Sequence, residues 1–229
     1  MKFVVSKNLF QKYPDTVICV LIAAHIRNDP KDAAKELLEQ IQVQVKQNFD
    51  INTLKDIAAI SAWRKVYASF GSKPSEYRSS VEALIRSVLN GRKIPSINPL
   101  VDIYNYISLK YTVPVGGEDL GNIKGNLYLK FAEGNENFIP LNSTKIENPY
   151  RGEVIYSDDE GNIMCRRWNW RESDKTKITY NTRNAILVAE GFDSPVDQAS
   201  NELSRLANEI CGCNIKKFIV DKNNPEIEW

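Results

Sequence analysis

Apolar residues recur at helical spacing up to about residue 110, and after the Pro114, Gly116 and Gly117 break they come in short runs cut by Gly, Asn and Asp. Before the break, Ala34, Leu37, Leu38, Ile41 and Val45 share one face of a helix that Asp29 and Pro30 open and that is expected to reach about Phe49. A second helix is expected from Asn52 to Phe70, closed by Gly71. A third runs from about Ser75 to Gly91, with Val81, Ile85 and Val88 inward and Arg78, Glu82 and Arg86 as an outer i,i+4 ladder. Pro99 suits the first turn of a fourth, carried to about Lys110. After the break, 126–132, 137–141, 152–158, 162–170 and 184–190 read as short strands. Lys2 to Ser6 and Thr16 to Ile26 are strand-like as well, Val196 to Ile210 is a late helix, and Lys216 to Val220 is a last strand. No Pro- or Ser-rich linker separates the two textures. The reading is α+β in a single domain over 1–229, helical early and strand-rich late.

A chain of 229 residues buries roughly 70% of its unfolded surface, so it needs neither disulfide nor metal to hold a core. Hydrophobic residues at 42% and charged residues at 26% exclude wholesale disorder and a coiled-coil rod. No run of 18 apolar residues exists, and the opening Met-Lys-Phe-Val-Val-Ser lacks the features of a secretory signal. The four scattered cysteines fit a reducing compartment. A cytoplasmic protein without membrane contact is expected.

The usual catalytic signatures are missing. There is no Walker loop, dinucleotide fingerprint or nucleophile elbow. His25, the one histidine, sits in an apolar run and reads as structural, so neither a Ser-His-Asp nor a Cys-His device is expected. Cys211-Gly212-Cys213 reads as a helix end with Gly212 in a left-handed turn rather than half a zinc site. Cys165 reads as a small buried hydrophobe. No cofactor and no metal are expected.

Charge is uneven. Residues 61–110 hold eight Lys or Arg against three acids, and 162–183 hold six against two, two islands suited to a polyanion if the fold joins them. The second island contains Arg166 to Thr176, where strand alternation would put Arg166, Trp168 and Trp170 on one face and Arg167, Asn169 and Arg171 on the other. That mixture fits either tryptophan stems on a core with arginines reaching out, or a pocket wall for an aromatic group, a base or a phosphate. Glu172 and Asp174 follow, placed to hold arginines or position a water. Asp102 and Asn105 share one side of the fourth helix, and short polar side chains fill Thr179 to Asn184.

Taken in order, these segments resemble the B3/B4 domain of the phenylalanyl-tRNA synthetase beta subunit in a free-standing form, over about residues 60–212, with 1–59 as a strand and helix extension. The likeness is carried by Ser96, Ile97, Asn98, Val101, Asp102, Asn105 and Tyr106, then Pro114, Asp119-Leu120, Gly125, Ile155 to Asp158, and Thr182 with Asn184; Trp63 to Leu84 is similar to the opening of free-standing relatives. The resemblance implies an editing site that hydrolyses a misacylated aminoacyl-tRNA ester, with tRNA as partner. An ester is already activated, so a placed water and oriented donors suffice without a protein nucleophile. It brings Asp102 and Gly116 to the substrate side, Gly116 standing where the family carries histidine. It also brings Val188, where the synthetase has a glutamate that reads the tyrosine hydroxyl, and Glu190 two residues on. Chemistry and position add Trp168, Asn169, Arg166 and Arg171. Asn105, Thr182 and Asn169 are expected to orient substrate and water, Glu172 or Asp119 to act as base, and Arg78, Arg86, Arg92 and Arg167 to meet phosphates. A noncatalytic tRNA- or RNA-binding module, and a small-molecule aminoacyl-ester hydrolase or sensor, are the alternatives.

Overall fold

The structure is a computed structural model and describes residues 1–192 and 195–229. In chain order the elements are β1 (Lys2–Val5), α1 (Lys7–Lys12), β2 (Thr16–Ala24), α2 (Asp32–Asn48), α3 (Ala58–Ser69), α4 (Ser80–Leu89), α5 (Pro99–Tyr111), β3 (Val115–Asp119), β4 (Leu127–Phe131), β5 (Val154–Asp158), β6 (Ile163–Arg166), β7 (Arg171–Glu172), β8 (Asn184–Phe192), α6 (Val196–Cys211), β9 (Asn214–Val220) and β10 (Glu226–Glu228). This is the expected single α+β domain. The strands form two sheets, ordered β10-β1-β4-β5-β6-β7 and β3-β8-β2-β9.

Period-two burial decides the layering. Ile18, Val20 and Ile22 of β2 join Phe3, Leu129 and Tyr156 in a core between the sheets. The intervening Cys19, Leu21 and Ala23 join Leu100, Ile107 and Leu203 of α5 and α6 in a second core on the far side. The central strands of the smaller sheet are therefore buried on both faces, which is why β2 and β8 are nearly continuous apolar runs paired residue for residue from Thr16↔Phe192 to Ala24↔Asn184. A third core, around Leu38, Ile41, Val81 and Ile85, packs α2, α3 and α4 together. The first 59 residues thus enter both sheets: β1 lies between β4 and β10, and β2 lies between β8 and β9. Lys2 to Val4 pair with Glu226 to Glu228, and the Met1 carbonyl accepts from the Trp229 amide.

Several expectations change. Residues 137–141 make only isolated bridges instead of a strand. The Gly116-Gly117 stretch, read as a break, is strand β3, paired with β8. The α4 ladder is not external: Glu82 is fully buried and gathers Arg64 at 2.8 Å, Arg86 at 2.7 Å and Arg78 at 3.8 Å. His25 is exposed with φ 59° at the end of β2, outside the core. Gly212 does end α6 in the left-handed conformation, φ 60°.

Gly117 fixes how closely β3 approaches β8. A Cβ there would run into the buried Leu187 side chain and stand 3.0 Å from the Ile186 carbonyl oxygen. Gly117→Ala is expected to cost about 1–3 kcal/mol by overpacking, read by denaturant unfolding; unchanged stability would mean the strands separate freely.

Candidate functional site

The Arg166 to Glu172 stretch is a tight hairpin instead of one strand. The chain reverses through Arg167 and Trp168, at φ 47° and 68°, and Arg166 pairs with Arg171 across β6 and β7. Each left-handed residue costs about 1–2 kcal/mol, and side-chain contacts offset it. Arg167 lies 3.8 Å from the Tyr77 ring centroid and 4.5 Å from that of Trp170. Trp168, fully buried, meets the Trp63 ring at 5.2 Å, Tyr13 at 5.4 Å and Phe192 at 5.9 Å.

The hairpin delivers two donors to Glu190 on β8. Trp168 Nε1 donates to Oε2 at 2.8 Å, Asn169 Nδ2 donates to Oε1 at 2.8 Å, and the Tyr156 hydroxyl donates to Oε2 at 2.6 Å. Burial pushes the Glu190 carboxyl above the ordinary range, and the three donors pull it back. Asn169 Oδ1 in turn accepts from the Tyr67 hydroxyl at 2.9 Å and, more weakly at 3.4 Å, from the Ser80 amide at the start of α4.

Beside this network, where edge strands β3 and β7 of the two sheets face each other, lies a cavity of about 250 Å³. Gly116, Trp168, Asn169, Arg171, Glu172, Val188 and Glu190 line it, as do Glu118, Cys165, Tyr156 and Ile186. Ile186, Val188 and Glu190 are successive inward residues of β8, opposite Glu118 and Gly116 of β3. A Cβ on Gly116 would stand 3.3 Å from Glu172 Oε1, so glycine leaves that carboxyl its space. Burial pushes Glu172 up to about 7, against a pull from the Gly117 amide. Burial, and then the charge of Glu172, push Glu118 well above the carboxylate range. Burial also raises the Cys165 thiol well above its usual value, consistent with a packing role.

The remaining expected residues lie elsewhere. Asn105 is half-buried on α5 and absent from the lining, so it does not join Asn169 at this cavity. Asp102 is a structural acceptor for the Ser96 hydroxyl and, at 2.8 Å, for the Ile97 amide. Asn98 caps α5 by accepting from Val101, so the polar run from Ser96 to Asp102 is helix-end chemistry. Asp119 and Thr182 meet, but as a lock: the Thr182 hydroxyl donates to Asp119 at 2.6 Å, while Gly121 donates to the other oxygen. Arg166 is consumed by Glu153, through bonds of 2.8 and 2.9 Å, and by Glu147 at 2.9 Å. Arg167 is buried in its stack, and Arg78 and Arg86 turn to Glu82; Arg92 is exposed. Glu118 went unrecognised because two glycines before it imitate a turn; pairing 115–119 with the apolar run 185–189 exposes it. Among the described residues, no group of three His, Cys, Asp or Glu side chains gathers to hold a metal.

Comparison with known proteins gives a consistent picture. A family model described as "B3/4 domain" matches residues 62–212. The chain is 30% identical over 123 residues to the phenylalanine–tRNA ligase beta subunit of Fusobacterium nucleatum, covering 52% of this chain and 15% of that subunit. It is 30% identical over 100 residues to the same subunit of Leifsonia xyli, covering 44% and 12%. The chain therefore corresponds to a small part of each. A crystal structure of an N-terminal fragment of the phenylalanyl-tRNA synthetase beta subunit from Pyrococcus horikoshii shares the fold, with TM-score 0.51 at 16% identity over 95% of this chain and 53% of that one. No helix among the described residues is long and apolar enough to cross a membrane.

Glu172 makes stability depend on pH. Its folded carboxyl holds a proton to about 7, so the stability of the protonated form is complete below the ordinary glutamate range and is lost as pH rises through about 7. Glu172→Gln carries no such charge. Its advantage over the parent is expected to grow between about pH 4 and pH 8 and level off at about 3 kcal/mol, an order-of-magnitude figure for a rise from 4.5 to about 7. Denaturant midpoints across that range check it, and parallel pH profiles for parent and variant would refute the assignment.

Proposed function

This chain belongs to the B3/4 domain family, and from that premise we propose that it hydrolyses the ester of a misacylated aminoacyl-tRNA, acting in trans at the cavity between β3 and the β6–β7 hairpin. The observation that carries the proposal is the cavity itself. It has room for an amino-acid-sized ligand, walls of Trp168, Trp170, Tyr156 and Ile186, and a half-buried carboxyl raised to about 7 at Glu172.

Glu172 is suited to take a proton from a water molecule as that water's oxygen bonds to the ester carbonyl carbon. The tetrahedral oxyanion then collapses, the bond to the ribose oxygen breaks, and that oxygen receives the proton from Glu172. Arg171, which lines the cavity and forms no ion pair among the described residues, is the cation available to the developing oxyanion or to the terminal phosphate. Asn169 holds Glu190 and the hairpin in place, so it acts as a positioning residue. Asn105, Thr182 and Asp119 have no part in this version of the site.

One observation favours a second reading, in which the substrate is a small aminoacyl ester without RNA. Arg64, Arg78 and Arg86 converge on Glu82, and Arg166 is bound to Glu153, so much of both basic islands is neutralised internally. The two readings differ in salt dependence, because phosphate contacts give tRNA affinity that falls steeply with ionic strength.

With a panel of correctly charged and mischarged tRNAs, release of free amino acid is expected above background for at least one mischarged species. Glu172→Gln is expected to slow it about 100-fold. Release equal to the protein-free control across the panel would overturn the enzymatic reading.

A further inference from the structure

Glu118 is about nine-tenths buried at 9% exposure, and it lines the cavity together with Glu172. Its Oε2 has no hydrogen-bond partner of good geometry; the nearby Thr176 hydroxyl favours the charged carboxyl, but by less than burial and the charge of Glu172 oppose it. Among the described residues neither Glu118 nor Glu172 forms an ion pair: the lysines and arginines with carboxylate partners are engaged elsewhere, and Arg171 lines the cavity without reaching either acid. Two carboxyls in an apolar cavity repel each other and are costly to ionise. A cation from outside would relieve both penalties. The space is compact, since even a methyl on Gly116 would press on Glu172 Oε1.

We propose that Glu118, backed by Glu172, receives a primary ammonium group, so that the cavity selects ligands with an apolar or aromatic body and a free protonated amine and rejects their N-acylated counterparts. An ammonium offers three donors to acceptors that the protein leaves open. The aromatic walls at Trp168, Trp170 and Tyr156 accommodate the body. Amide formation at that nitrogen removes its charge and two of its donors, and leaves Glu118 buried without a counter-ion. The inference rests on the cavity being the ligand site, and it adds to the hydrolytic reading a requirement for an unmodified α-amine. It also gives Glu172 a trigger: the arriving charge favours its ionised, proton-accepting form.

The test is calorimetric titration at about pH 7 with phenethylamine and with 2-phenylethanol, the same body bearing a hydroxyl. The amine is expected to bind at least about tenfold more tightly, and Glu118→Gln is expected to remove at least about tenfold of amine affinity while leaving the alcohol unchanged. Equal affinities in the unaltered protein, no detectable amine binding, or an unaffected Glu118→Gln would overturn the proposal. Hydrolysis is scored separately on aminoacyl-tRNA and N-acetylaminoacyl-tRNA. Amine selectivity without hydrolysis upholds the ammonium site and removes the editing reading. Equal cleavage of both tRNA forms does the reverse.

Discussion

A carboxyl buried between two sheets must find donors, and those that Glu190 finds tie the molecule together. Tyr156 comes from the larger sheet, Trp168 and Asn169 come from the hairpin at its edge, and Glu190 belongs to the smaller sheet. Through Asn169 the same network reaches Tyr67 on α3 and the first turn of α4. Losing one donor would strand a buried polar group, a loss of about 1–3 kcal/mol before any repacking. The hairpin's two left-handed residues are held by this network together with the stack of Arg167 between Tyr77 and Trp170. The cavity owes its walls to the same arrangement, since the side chains that bind Glu190 also line it.

Where hydrophobic period and punctuation agreed, the chain was legible. The helices carrying Leu38, Ile85 and Leu203 and the strands carrying Val20 and Leu187 follow from spacing, and the architecture follows from their order. The hairpin was hidden because Arg167 and Trp168 are not residues that announce a positive φ, so alternation was carried straight through a reversal. Strand β3 was hidden for the opposite reason. Its glycines suggest a break, yet Gly117 serves close packing against Leu187 and Gly116 leaves room for Glu172.

Charge was the least legible property. The arginine islands are real in sequence, but Glu82 draws three guanidiniums inward and Glu153 draws in Arg166. Glu153 stands 13 residues from Arg166, just before the neighbouring strand β5. Neighbourhood in sequence therefore overstated the positive face available to a polyanion. Likewise, the polar motif from Ser96 to Asp102 reflects the needs of a helix end, and its side chains are turned to nearby backbone and hydroxyl groups. The residues that do meet at the cavity come from α4, β3, β4, β5, the hairpin and β8, from Ser80 to Glu190, so no local pattern could have assembled them.

The pairing of β1 with β10 sets the first and last strands of the chain side by side. As the outer neighbour of β1, β10 occupies the backbone donors and acceptors along that side of β1, so the strand that begins the larger sheet presents no bare edge there to another chain.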